Sequence, residues 1–80
     1  MDLEIITPDK NLFKGKIKSV KVPGTKGSFM ILNNHAPLIS TLQKGVVLVV
    51  TPESAEKQFE IESGIIEVKQ NKITVLAETA

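Results

Sequence analysis

Hydrophobic residues recur along this chain every second position, in short bursts set off by turn residues. Leu3-Glu4-Ile5-Ile6-Thr7 is a β-rich run that stops at the turn signal Pro8-Asp9. Asn11 to Val22 reads as a longer extended stretch punctuated by Gly15. Within it Phe13, Gly15 and Ile17 share one parity, with Lys14, Lys16 and Lys18 on the other. Val20 and Val22 then take the opposite parity. Side chains on a strand alternate with period 2, so the slip predicts a β-bulge or a change of sheet near Lys18-Ser19.

The stretch from Pro23 to Ile39 organises the rest. Gly24 to Gly27 predicts a tight turn, and Asn33-Asn34 a second, because Gly and Asn tolerate the left-handed region. One short strand around Phe29-Met30-Ile31-Leu32 lies between them. Pro37 biases Ala36 to an extended conformation. The expected product is a turn–strand–turn unit whose tip presents Lys26, Ser28 and His35.

Gly45 to Thr51 is apolar on both parities. Such a strand has both faces covered, or one face waiting for a partner. Pro52-Glu53-Ser54 breaks it. Lys57 to Glu62 alternates, with Phe59 and Ile61 against Gln58, Glu60 and Glu62. Gly64 separates that strand from Ile65 to Lys69, Gln70-Asn71 is a hairpin turn, and Lys72 to Ala77 is a last strand. The one helical candidate, Leu38 to Leu42, is five residues long and too short to hold alone. Many short strands with regular turns predict an all-β fold, a flattened sandwich or barrel of antiparallel strands.

Composition narrows what the fold is for. Eighty residues make one domain with a thin core, which a permanent partner would help. Without cysteine there is neither a disulfide framework nor a cysteine zinc site. A net charge of +1 is a poor footprint for nucleic acid or an anionic membrane. The longest apolar run, Val46 to Val50, is far too short to span a bilayer. The N-terminus, with Asp2 and Glu4, lacks a signal pattern. The expectation is an intracellular soluble domain.

Candidate chemistry is sparse. His35 is the only imidazole, with no carboxylate close in sequence to complete a metal site. Ser19, Ser28, Ser40, Ser54 and Ser63 show no nucleophile-elbow context. Glu60 and Glu62, like Asp2 and Glu4, share a parity and read as solvated faces. The Lys14, Lys16 and Lys18 row reads as a solvated or edge-protecting face. Gly24-Thr25-Lys26-Gly27 lacks phosphate-loop spacing. With three Phe and no Tyr or Trp, the chain has no stacking platform for single strands. No catalytic residue, cofactor or metal is expected.

The order of motifs carries a resemblance. Leu3-Glu4-Ile5-Ile6-Thr7-Pro8, Leu12-Phe13-x-Gly15, Val20-x-Val22-Pro23-Gly24-x-x-Gly27-x-Phe29-x-Ile31-Leu32, His35-Ala36-Pro37-Leu38 and Leu42-x-x-Gly45-Val46 resemble the epsilon subunits of F-type ATP synthases. Ser63-Gly64-Ile65-Ile66-Glu67-Val68 and Ile73-Thr74-Val75-Leu76-Ala77-Glu78 extend the match. The resemblance implies a ten-stranded β-sandwich on the central stalk, at the cytoplasmic face of the bacterial inner membrane. It implies a structural, non-catalytic role: binding the gamma subunit, touching the ring of membrane c subunits and coupling proton transport to ATP synthesis. The family loop that meets the ring matches Gly27, Ser28 and Phe29, with Lys26 and His35 beside it. The chain departs from the family at Ser28, often acidic there, at Met30, usually glycine, and at Asn33-Asn34, usually Pro-Gly. Family members usually continue into a C-terminal helical hairpin that restrains the motor. These residues stop at Ala80, so the expectation is coupling without that restraint.

The apolar run and Ile65-Ile66 suggest one broad gamma-binding face, with Val46, Leu48, Val50, Ile65 and Ile66 as its residues. The alternative from another class is a lipoyl- or biotinyl-type carrier with Lys26 as the modified residue. Thr25 and Gly27 are not the flanks such a lysine has.

Overall fold

The computed structural model describes residues 1–79; Ala80 lies outside them. The chain forms β1 (Asp2–Ile6), β2 (Asn11–Lys16), β3 (Ser19–Gly24), β4 (Gly27–Ile31), β5 (Leu38–Leu42), β6 (Gly45–Val50), β7 (Glu56–Ile61), β8 (Ser63–Lys69) and β9 (Lys72–Glu78). The described residues thus make an all-β fold of nine strands, where the resemblance implies ten.

The nine strands form one sheet that folds back on itself into two layers. In one layer the order is β2-β1-β9-β8-β5, and in the other β4-β3-β6-β7. Neighbours are antiparallel except β1 and β9, which run parallel from Asp2↔Lys72 to Ile6↔Leu76. Two features join the layers. The parity slip near Lys18 is where the chain leaves β2 for β3: Ile17 N–H donates to Met1 O at 2.9 Å, and Lys18 N–H to Val50 O at 2.7 Å. Since Ser19 is itself registered opposite Val50, two residues face one, which is a bulge.

The second junction is the corner at Pro23-Gly24. Proline offers no N–H to a ladder. β3 pairs with β6 as far as Lys21↔Leu48. Pro23 O then accepts from Gln43 N–H at 2.8 Å, and Gly24 pairs with Leu42 of the other layer. The backbones come so close there that only glycine fits. A Cβ on Gly24 would stand 2.6 Å from Gly27 O and 2.7 Å from the Phe29 ring.

Inward parity builds the core. Leu3 and Ile5, Ile73, Val75 and Ala77, and Ile66 and Val68 meet Val20, Val22, Ile31, Val47, Val49 and Ile61 across the layers. Complete burial of such a side chain contributes about 1.5–3 kcal/mol. At the far edge Phe13 and Phe59 pack edge-to-face at 6.0 Å, with the Lys57 ammonium 5.7 Å from the Phe13 centroid. This contact closes β2 against β7 without hydrogen bonds.

The β8–β9 turn is fixed by two left-handed residues, Gln70 (φ 52°) and Asn71 (φ 60°), as a two-residue hairpin demands. Asn71 also reaches sideways. Its amide donates to Asn33 Oδ1 at 2.9 Å, and its Oδ1 accepts from Asn34 N–H at 2.8 Å. The segment between β4 and β5 is thereby fastened to the β8–β9 end of the molecule.

Candidate interaction surfaces

That fastening decides where the expected site residues lie. Lys26 and Gly27 form the β3–β4 hairpin tip, with Gly27 at φ 127°. Thr25 N–H donates to Thr41 O at 3.1 Å, and the Thr25 and Thr41 hydroxyls are 2.8 Å apart. The tip therefore sits beside the C-terminal end of β5. Lys26 and Ser28 are exposed, while Phe29 is half-buried against the core.

His35 is not part of this tip. It precedes the start of β5, at the opposite end of β4, next to the Asn71 turn. Four residue steps along β4 span about 13 Å. The expectation that Lys26, Ser28 and His35 share one tip is corrected on this point: two turns flanking one strand lie at its two ends. His35 is half-buried; its Nδ1 lies 2.7 Å from Ala36 O, so Nδ1 carries the proton. No three His, Cys, Asp or Glu among the described residues cluster to hold a metal ion.

The five residues expected on one gamma-binding face fall in three places. Ile66 is a fully buried core residue, because its parity within β8 is that of Val68. Val46, Leu48 and Val50 lie on the outer face of the β6 layer. Their cross-strand neighbours there are Glu60 beside Val46, Lys21 and Gln58 beside Leu48, and Glu56 beside Val50. Polar groups interrupt any apolar continuity. Ile65 lies on the outer face of the other layer.

Around Ile65 the register assembles a surface that sequence reasoning missed. Ile6 pairs with Leu76, Leu76 with Ile65, and Ile65 with Thr41, giving one row across β1, β9, β8 and β5. Ile65 is 45% exposed, Leu76 53% and Ile39, one row further along, 72%. Ile6, Pro8, Thr41, Ile65 and Leu76 line a shallow cleft of about 600 Å³ here. The same face changes character along the strands. The next row is Glu4, Thr74, Glu67 and Ile39, and the last pairs Asp2 and Lys69 with Lys72. A signal was present in the sequence. Ile6, Ile65 and Leu76 each occupy the polar parity of their strand, but only the register shows that they stand side by side.

Charge is segregated as well. From Lys10 to Pro52 the chain has seven lysines and no carboxylate. The tip and its surroundings are basic, and Lys44, beside it, is 3.9 Å from Glu62.

Comparison with known proteins converges on one family. The model of the ATP synthase delta/epsilon chain β-sandwich domain matches residues 1–80. The ATP synthase epsilon chain of Leptospira borgpetersenii is 42% identical over 78 residues, which cover 98% of this chain and 61% of that one. The Chlorobium limicola epsilon chain is 42% identical over 76 residues, covering 95% and 86%. A chain in the Euglena gracilis mitochondrial ATP synthase structure (OSCP/F1/c-ring) superposes with a TM-score of 0.88 at 17% identity, over 94% of this chain and 48% of that one. One in the Tetrahymena thermophila central stalk/c-ring structure gives 0.83 at 15%, over 98% and 63%. At those identities the likeness is one of fold. The carrier-domain alternative for Lys26 finds no support among them. Motif order, corner glycines, layer topology and family match agree, and the chain belongs to the ATP synthase delta/epsilon chain β-sandwich family.

Proposed function

We propose that this chain is a non-catalytic rotor module of an F-type ATP synthase, clamping the gamma subunit to the membrane ring so that rotation and proton transport stay coupled. The observation that carries the reading is the apolar row of half-buried Ile6 with exposed Ile65 and Leu76, and exposed Ile39 beside it, on the outer face of a broad five-stranded layer. Gamma docks there. The molecule extends 28 × 23 × 19 Å, so its broad side is of the order of the roughly 800 Å² that a stable contact buries per partner. Of the gamma-side residues expected from sequence, Ile65 keeps that role.

The ring side is the hairpin tip, Lys26, Gly27, Ser28 and Phe29. With Lys26 exposed and Ser28 uncharged, the tip suits a ring loop that is neutral or acidic. The module works by stiffness. Antiparallel ladders, the Pro23-Gly24 corner and the Phe13–Phe59 contact hold the two docking regions in fixed relation, so torque is not lost in bending. No helix among the described residues is long and apolar enough to cross a membrane. The proposed location is peripheral, at the cytoplasmic face of a bacterial membrane.

Cysteine cross-linking tests the ring side. A disulfide requires Cα atoms within about 7 Å. Ser28→Cys is expected to cross-link to a cysteine in the polar loop of the ring under mild oxidation, and His35→Cys is not. The reverse pattern in an assembled, coupled complex would overturn the orientation.

A further inference from the structure

Among the described residues β2, β4 and β7 each have an edge without a strand partner. An open edge is a template for another chain, and proteins commonly blunt it with charge. β2 carries Lys14 and Lys16, and β7 carries Glu56, Lys57 and Glu60. These two edges also close on each other through Phe13 and Phe59. β4, Gly27-Ser28-Phe29-Met30-Ile31, contains no charge. β4 and β5 pair with opposite edges of β3 at Gly24, so the free edge of β4 points away from β5. Ser28 and Met30 are exposed, Met30 by 50%.

The ladder fixes which backbone groups are free. Pro23 O is turned away from β4, toward Gln43 N–H, so the Pro23↔Ser28 pair is not hydrogen-bonded. Antiparallel pairs alternate. Gly27, Phe29 and Ile31 therefore bond to β3, while the N–H and C=O groups of Ser28 and Met30 point outward. This two-residue repeat centred on Phe29 is self-complementary. Turned about a two-fold axis at Phe29, Ser28 meets the partner's Met30 and Met30 meets the partner's Ser28, and each pair exchanges both N–H···O bonds. The side chains agree with that register. On the outer face Lys21 lies beside Met30 and Pro23 beside Ser28. The row across the junction therefore reads Lys21, Met30, the partner's Ser28, the partner's Pro23, and no lysine meets a lysine. Met30, which the gamma and ring readings leave uncovered, is covered.

We propose that the free chain pairs with a second copy of itself, β4 against β4, joining the β4-β3-β6-β7 layers of the two copies into one continuous sheet. A contact of this kind uses the same patch on both copies and closes on itself. One short strand pair buries less than the roughly 800 Å² per partner of a stable contact, so the dimer forms at high concentration and separates on dilution. Ser28 belongs both to this edge and to the proposed ring-facing tip. A paired chain therefore cannot reach the ring, and only the single chain enters the motor. That exclusion rests on the ring reading; the pairing does not.

Sedimentation and amide hydrogen exchange of the chain alone, across concentrations, test this. Between about 10 μM and about 1 mM, mass action is expected to raise the sedimenting mass from 8.7 kDa toward twice that. Over the same range the Ser28 and Met30 amides are expected to slow at least about fivefold, and those of β2 and β7 to stay as they were. Met30→Pro deletes an outward N–H and keeps the bonds to β3. It is expected to weaken pairing about tenfold or more, because the symmetric contact loses a bond on each side. Met30→Lys, which puts charge on the edge with no backbone restraint, is expected to weaken it likewise. Ile65→Lys/Leu76→Lys, on the other layer, is expected to pair as before. A chain that stays at 8.7 kDa at about 1 mM overturns the proposal. So does a dimer that Ile65→Lys/Leu76→Lys dissolves, or one in which the Ser28 and Met30 amides exchange as in the single chain.

Discussion

The double substitution Ile65→Lys/Leu76→Lys is expected to abolish gamma binding, by at least a hundredfold, in a chain that still folds. Both side chains point outward and stand directly opposite each other on β8 and β9. Neither contributes to the core, whose residues have the other parity. Two like charges in register cost a few tenths of a kcal/mol up to about 1 kcal/mol, which the sandwich survives. At an interface the same change desolvates two ammonium groups against an apolar partner surface, where truncating one central residue already costs about 2 kcal/mol or more. Titration calorimetry with gamma measures the loss, and urea unfolding checks the fold. Val46→Lys serves as the comparison. It alters the outer face of the β6 layer, among Lys21, Gln58 and Glu60, and is expected to leave gamma affinity unchanged. Loss of binding by Val46→Lys, with binding retained by the double variant, would place gamma on the opposite face.

Gly24→Val is expected to be the most damaging single change to the fold, lowering stability by about 3 kcal/mol or more. Overpacking a tight site costs about 1–3 kcal/mol and occasionally more. Here the obstacle is backbone as well as side chain. The new Cβ would lie 2.6 Å from Gly27 O and 2.7 Å from Phe29, at the corner that joins the layers. A domain of this size has about 4–12 kcal/mol in all, so the loss is a large fraction. Gly27→Ala provides the contrast. Its Cβ meets nothing within 4 Å, but φ is 127°, so only backbone strain of order 1–3 kcal/mol is added. Urea midpoints of the two variants rank them; Gly27→Ala proving worse than Gly24→Val would mean that the corner yields more easily than its contacts imply.

What the sequence disclosed, and what it withheld, divides along a physical line. Period-2 alternation and turn chemistry act locally, so strands and turns were legible. Gln70-Asn71 and Asn33-Asn34 read correctly because Asn tolerates the left-handed region where Asn71 and Asn34 are found. The parity slip at Lys18-Ser19 announced the bulge and the change of layer. Leu38–Leu42, set aside as too short for a helix, is a strand because β8 pairs with all five of its residues. Surfaces, in contrast, depend on register and on which end of a strand a turn occupies. His35 and Lys26 are nine positions apart in sequence, yet β4 separates them. Ile65 and Ile66 are adjacent, yet one is on the surface and the other in the core. The Ile6, Leu76 and Ile65 row comes from three strands and required the parallel β1–β9 pairing, which no local pattern specifies.

The clamp itself is tested most directly by reconstitution. Membranes bearing an ATP synthase stripped of its epsilon chain are supplied with these 80 residues, and ATP hydrolysis and proton pumping are measured together. The account predicts that pumping per ATP hydrolysed recovers, and that Ile65→Lys/Leu76→Lys fails to restore it. A chain that binds the complex yet leaves pumping per ATP unchanged would contradict the claim that this sandwich couples gamma to the ring.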